Sequence, residues 1–165
     1  MGQELDIFDT DIRESVKSET LQHIYEVRSR LDIIISELTT RGIEHDNSKL
    51  EEPEFSYLVN AEHKLKDLTY GSIEYDKSRE ELAPMLDHHY KNNRHHPEHH
   101  DDGIEDMTLI DILEMLCDWK ASSMRHDDGN IEESLRHNAM RFGIRTQLFK
   151  ILDNTYRALG WYQKS

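Results

Sequence analysis

Residues 12–42, IRESVKSETLQHIYEVRSRLDIIISELTTRG, decide the fold class. Val16, Ile24, Val27, Leu31, Ile34, Ile35 and Leu38 recur at three- and four-residue intervals, which places them along one side of an α-helix. The run predicts a helix over residues 12–40, with Arg41-Gly42 as its stop, because glycine tolerates the left-handed backbone that closes many helices. Downstream, Pro53 predicts the first turn of a helix over 54–68, with Phe55, Leu58, Val59 and Leu65 turned inward. Tyr70-Gly71-Ser72 reads as a turn, and a third helix is expected over 76–93. Pro97 and the polar residues 99–103 mark a loop. Thr108 is placed to cap an apolar helix over 109–124. Asp127-Asp128-Gly129 breaks the chain again, and Asn130 with Glu133 three residues on predicts a capping box for a last helix over 131–159. No segment alternates as a half-buried strand does. The expected fold is all-α, with five to six helices.

The 165 residues suit one compact domain with a real core. Thirty-four acidic residues against 20 basic ones give a formal charge of −14, which excludes a general nucleic-acid coat, since non-specific grip on phosphate backbones needs a basic surface. The charge still allows a small anion in a local basic pocket. Cys117 is the single cysteine, so neither an intrachain disulfide nor a cysteine-rich zinc site is available; its apolar setting, MLCDW, predicts a buried, inert thiol. The start, MGQELDIFDT, lacks the basic and apolar regions of a signal peptide, and no stretch reaches the length of a membrane span. A soluble, cytoplasmic protein is expected.

Chemistry concentrates in histidines and carboxylates. His45-Asp46 puts an imidazole nitrogen and a carboxylate oxygen on adjacent residues, able to share one divalent cation. His23 lies upstream on the edge of the apolar stripe. Downstream, HHYKNNRHHPEHH (residues 88–100) carries six of the eleven histidines, and Asp118 follows. Such nitrogen and oxygen donors suit Fe, Mn, Zn or Mg. The doublets His88-His89 and His95-His96 each offer one imidazole inward while the other faces solvent. Asp111, Glu114, Asp118, Ser122 and Arg125 share one helical face, which on periodicity alone reads equally well as the solvated side.

In this order, His23, His45-Asp46 within HDNSK, and Asp118 followed by Ala121 resemble the H…HD…D signature of the HD-domain metal-dependent phosphohydrolase superfamily. Lys49 matches the lysine of the HDxGK form of that motif. HHYKNNRHH and EMLCDWKAS are similar to segments of phage and bacterial proteins of the same architecture. Glu44 and Asn47 flank the pair where apolar residues are usual, Ser48 stands in place of glycine, and the GYP segment of cyclic-dinucleotide phosphodiesterases is missing. The resemblance covers residues 21–122. It implies a single HD-like helical domain over 1–165, its metal-binding part within 12–126 and its C-terminal helix over 131–160.

The resemblance further implies one or two divalent ions (Mn, Fe, Co, Mg or Zn). His23, His45, Asp46 and Asp118 would hold the first, and His89 and His96 a second that Asp46 bridges. Lys49 and Asp46 would take the catalytic roles, on a small phosphorylated substrate of nucleotide type. Coordinated water becomes acidic enough to react near neutral pH, and Lys49 would stabilise charge on the substrate. Arg94, Lys120 and Arg125 flank the ligands, while His137, Arg141 and Arg145 recur every four residues on the last helix; together they form the expected phosphate-binding set. Two other readings stand beside hydrolysis: a di-iron oxygenase on the same scaffold, and a non-catalytic protein that binds a nucleotide or metal. Apolar surface on the first and last helices could serve a homodimer.

Overall fold

The computed structural model describes residues 2–65, 83–124 and 130–162, with residues 2–8 and 62–65 given by backbone alone. Among these residues the protein is all-α: α1 (Gly2–Glu44), α2 (Glu54–Leu65), α3 (Ala83–Asn92), α4 (Leu109–Ser123), α5 (Ile131–Arg141) and α6 (Thr146–Ala158), with no strand. Short 3-10 turns cover Asn47–Leu50, Pro97–His99 and Gly103–Asp106. The turn expected at Tyr70-Gly71-Ser72, the start of the third helix and the break at Asp127-Asp128-Gly129 lie outside the described residues. No described helix is long and apolar enough to cross a membrane.

The chain divides into two compact units, Met1–Thr40 and Arg41–Ser165. In the first, α1 starts ten residues before the sequence expectation, and Val16, Ile24, Val27, Leu31 and Ile34 are all exposed. Its end also differs, for the helix passes through Gly42 and stops only at Glu44. Arg41, in the second unit, binds Asp111 and Glu114, and that anchorage holds the last turn helical against glycine's propensity to end it.

The second unit is built around α4. Thr108 caps it, its side chain accepting from the Asp111 N–H while the Asp111 carboxylate accepts from Thr108 N–H, a complete capping box. One face of α4 carries Met115, Leu116 and Trp119 into the core, where they meet Ile131 and Leu135 of α5 and Leu152 and Tyr156 of α6. Trp119 stacks on Phe142 with ring centroids 6.2 Å apart. Tyr156 is fully buried and Trp161 packs on the same cluster, so both belong to the core. Cys117, expected to be buried, is exposed, because it falls between the core-facing residues of α4.

The expected single last helix is two. Gly143 adopts φ +63, and the Ile144 N–H donates to the Ala139 carbonyl at 2.9 Å, a left-handed closure that ends α5. Gly160 repeats the device after α6, at φ +65, with Trp161 N–H donating to Tyr156 O. At α5 the start is simpler than a capping box: the Asn130 side chain accepts from Glu132 N–H at 2.8 Å.

Candidate metal centre

The centre forms where α1 gives way to a turn. Asp46 has φ 57 and ψ 14, a left-handed conformation that a short polar side chain tolerates better than most. The chain then winds into the 3-10 turn, Lys49 N–H donating to Asp46 O at 2.9 Å, and the turn returns Lys49 Nζ to Asp46 Oδ2 at 2.6 Å. The histidine-rich segment is tied to this turn. Asn93 Nδ2 donates to Ser48 Oγ (2.7 Å) and to the His89 carbonyl (2.8 Å). His99 bonds the Tyr90 carbonyl and His100 the Arg94 carbonyl, both at 2.9 Å, so two of the six clustered histidines fix the loop itself.

Four donors converge on one point. Asp46, His89, His95 and His96 each offer an atom within 4.8 Å of all the others. His89 Nε2 lies 3.4 Å and His95 Nε2 3.6 Å from Asp46 Oδ1, and the His89 and His96 Nε2 atoms are 2.9 Å apart. Asp46 Oδ1 and His95 Nε2 are buried without a hydrogen-bond partner among the described residues. Such groups cost free energy unless something satisfies them, and a cation among imidazole lone pairs and a carboxylate does so. The donor set therefore fits a divalent metal. Beside it, His45 Nε2 stands 3.6 Å from Asp46 Oδ2 and 3.8 Å from Asp118 Oδ1, adding a nitrogen and a carboxylate.

Two buried glutamates lie behind the histidines. Glu54 accepts from Nδ1 of His88 (2.7 Å) and of His89 (2.9 Å). Glu114 Oε1 contacts Nδ1 of His45 (2.9 Å) and of His95 (3.1 Å), while Oε2 takes Arg41. Asp111, fully buried, accepts from Arg41 and Arg94.

The charges follow from these contacts. The Asp118 and Glu114 carboxylates lift His45 to a pKa of about 9 against the pull of burial. Burial drives His96 the other way, to about 3, reinforced by the neighbouring His95 and His89. His89 is also lowered, by burial and by Lys49. For Asp46, burial pulls upward but the hydrogen bond and charge of Lys49 outweigh it and hold the carboxylate ionised. Burial likewise raises Asp118 and Glu114, and their histidine partners more than reverse it.

The residues expected from sequence divide as follows. His45, Asp46, Lys49, His89, His96 and Asp118 come together. His23 is exposed in the first unit. Arg94 is half-exposed and paired with Asp111, and Lys120 Nζ donates to the Trp161 carbonyl at 3.1 Å. Arg125 lies outside the described residues. The expected stripe of His137, Arg141 and Arg145 is broken, because α5 ends before Arg145. His137 is exposed, Arg141 pairs with Glu98 at 2.7 Å, and Arg145 pairs with Glu105 at 2.8 Å beside an open cavity of about 690 Å³.

Two expectations need correction. The second doublet does not divide into one inward and one outward histidine: α3 ends at Asn92, and the irregular backbone beyond it turns both His95 and His96 into the centre. Nor does the solvated reading of the acidic face of α4, one of the two that periodicity allows, hold at Asp111 and Glu114, which are buried against Arg41. Glu54, His95, Asp111 and Glu114 were the residues that sequence reasoning did not place. Acids at positions 111, 114 and 118 of so apolar a helix were the available signal, because a charge-rich stripe opposite a packed face needs either water or buried cations.

No curated protein and no solved structure matches the chain. A protein-family profile matches residues 13–159, reaching into both units and covering all the residues of the candidate centre. By that match the chain belongs to the family described as a family of unknown function, DUF5662.

Proposed function

We propose that this protein is a metal-dependent phosphohydrolase acting on a small phosphate ester of nucleotide type. The observation that carries the reading is the convergence of Asp46, His89, His95 and His96, two of whose facing atoms are buried without partners. Asp46, His89, His95 and His96 would hold one cation, and His45 with Asp118 and the second Asp46 oxygen would hold another. When bound, such cations acidify coordinated water and neutralise phosphoryl oxygens.

The surrounding charge supports a role for cations in any phosphate binding. Asp46, Glu54, Asp111, Glu114 and Asp118 make the region acidic, so phosphate approaches only where metal charge inverts the local field. Lys49 is the protein's own cation at that point. Its ammonium, 2.6 Å from Asp46 Oδ2, keeps the carboxylate ionised and would be the side chain to share a phosphate oxygen. Arg94, half-exposed and paired with Asp111, would be a further cation for the substrate. The order of His45-Asp46, Lys49 and Asp118 along the chain, and its resemblance to the HD-domain superfamily, favour phosphate ester cleavage over other metal chemistry.

The test is turnover. Purified protein loaded with Mn²⁺, Co²⁺ or Mg²⁺ is expected to release phosphate or nucleoside from a nucleotide panel, and chelation should abolish the release. Metal-loaded protein inert across the panel would overturn the proposal. An imidazole-rich site with two carboxylates also suits iron, which makes di-iron oxygenation the second reading. Two equivalents of iron after aerobic expression, with an iron electronic spectrum, would favour it.

A further inference from the structure

The second group of metal-capable residues, His45, His95 and Glu114, is open to two interpretations. Glu114 could bind a cation itself, or it could hold histidines that do. We propose that Glu114 and Glu54 are positioning residues, not ligands: each fixes histidines through Nδ1, so that Nε2 is left to face the metal. The inference rests on the metal-site reading above and extends it to the residues behind the ligands.

The geometry argues for it atom by atom. Glu114 meets His45 and His95 only through their Nδ1 atoms, at hydrogen-bond distance, and Glu54 meets His89 the same way. On the opposite edge of each ring, Nε2 is the atom near Asp46: 3.6 Å for His45, 3.6 Å for His95 and 3.4 Å for His89. An Nδ1–H donated to a carboxylate leaves the neutral imidazole lone pair on Nε2 and stops the ring from rotating. The second oxygen of Glu114 is taken by Arg41, at 2.6 Å, so the carboxylate is neutralised from behind. Among the described residues Glu54 pairs with no lysine or arginine; its second oxygen takes His88, which is not among the converging four. This gives His88 a purpose without making it a ligand. Arg94 and Arg41 meet on Asp111, which braces Glu114 through their shared Arg41.

The substitutions Glu114→Gln and Glu54→Gln preserve shape. In Glu54→Gln the carbonyl accepts one Nδ1–H and the amide opposes the other histidine. In Glu114→Gln the single carbonyl can serve either the two histidines, which share Oε1, or Arg41 on Oε2, and the amide opposes whichever remains, so the hold on His45 and His95 weakens. Titration of Mn²⁺ into apoprotein, followed by calorimetry, reads both affinity and stoichiometry. Each variant is expected to keep the wild-type number of bound ions and to bind them about 10–100-fold more weakly, with helical circular dichroism retained. Loss of one bound equivalent would show the glutamate to be a ligand and overturn the proposal. So would wild-type affinity in both variants. Should Glu114→Gln fail to fold, long-range ¹H–¹⁵N spectra of Zn²⁺-loaded wild-type protein decide the matter: His45, His89 and His95 are expected to carry their proton on Nδ1, and protonation on Nε2 would overturn it. Wild-type protein that takes up no metal would instead sink the site reading itself.

Discussion

Asp46 divides its carboxylate between two neighbours of different kind: Oδ2 receives Lys49, and Oδ1 faces His89 and His95 without a hydrogen bond. Asp46→Asn keeps a side chain that tolerates the left-handed turn but replaces the anion with a neutral amide. We expect it to weaken metal binding by more than the roughly 10–100-fold typical of lost outer partners; calorimetric titration measures the change, and near-wild-type affinity would contradict Asp46 as a ligand. Asp111 makes a separate prediction. Burial alone would raise its pKa, but Thr108, Arg94 and Arg41 hold it well below its ordinary value of 3.8. A carboxylate depressed on folding stabilises the native state above its unfolded pKa, and that contribution is lost as pH falls. Urea midpoints should therefore be level above about pH 5 and decline below pH 3.8, with a shallower decline in Asp111→Asn. The sequence named His45, Asp46, His89 and Asp118 because their types and order are local facts. His95 and Glu114 escaped it, since their directions depend on a loop without periodicity and on a partner 73 residues away.

Among the elements, α4 joins core to site. Its Met115, Leu116 and Trp119 pack inward while Asp111, Glu114 and Asp118 meet Arg41 and His45 of the candidate centre. A shift of this helix moves both. Thr108→Ala removes the hydroxyl that accepts from Asp111 N–H and should cost about 0.5–2 kcal/mol, read as a lower urea midpoint; an unchanged midpoint would show the cap to be dispensable. The start of α4 was legible because a Thr followed three residues later by an acid, ahead of an apolar run, carries its own mechanism. The break between α5 and α6 was not. Gly143 sits inside a helical pattern, and only the packing of Phe142 and Ile144 against the core selects its left-handed state over continuation.

For the whole molecule, the acidic donors come together before any cation is counted, so folding and metal binding should support each other. A ligand that binds only the native state at one hundred times its dissociation constant adds about 2.7 kcal/mol, or about 5–10 °C in a chain of this size. We expect Mn²⁺ to raise the melting temperature by that order and a chelator to reverse it; a melting curve indifferent to metal would contradict the centre. By contrast, Leu135→Ala, a fully buried core residue of α5, should lower stability by about 2–5 kcal/mol with or without metal. What the sequence determined by itself was the all-α class, the starts of α2, α4 and α5, and the residue types of the candidate centre. These depend on side-chain periodicity and capping over three or four neighbours. Tertiary structure alone decided which histidines turn inward, that Asp111 and Glu114 of α4 are buried, and that Glu54 and Glu114 stand against the Nδ1 edges of the converging histidines. Each of those depends on contacts between segments far apart in the chain, where the cost of burying a charge is met only by a partner that no local pattern reveals.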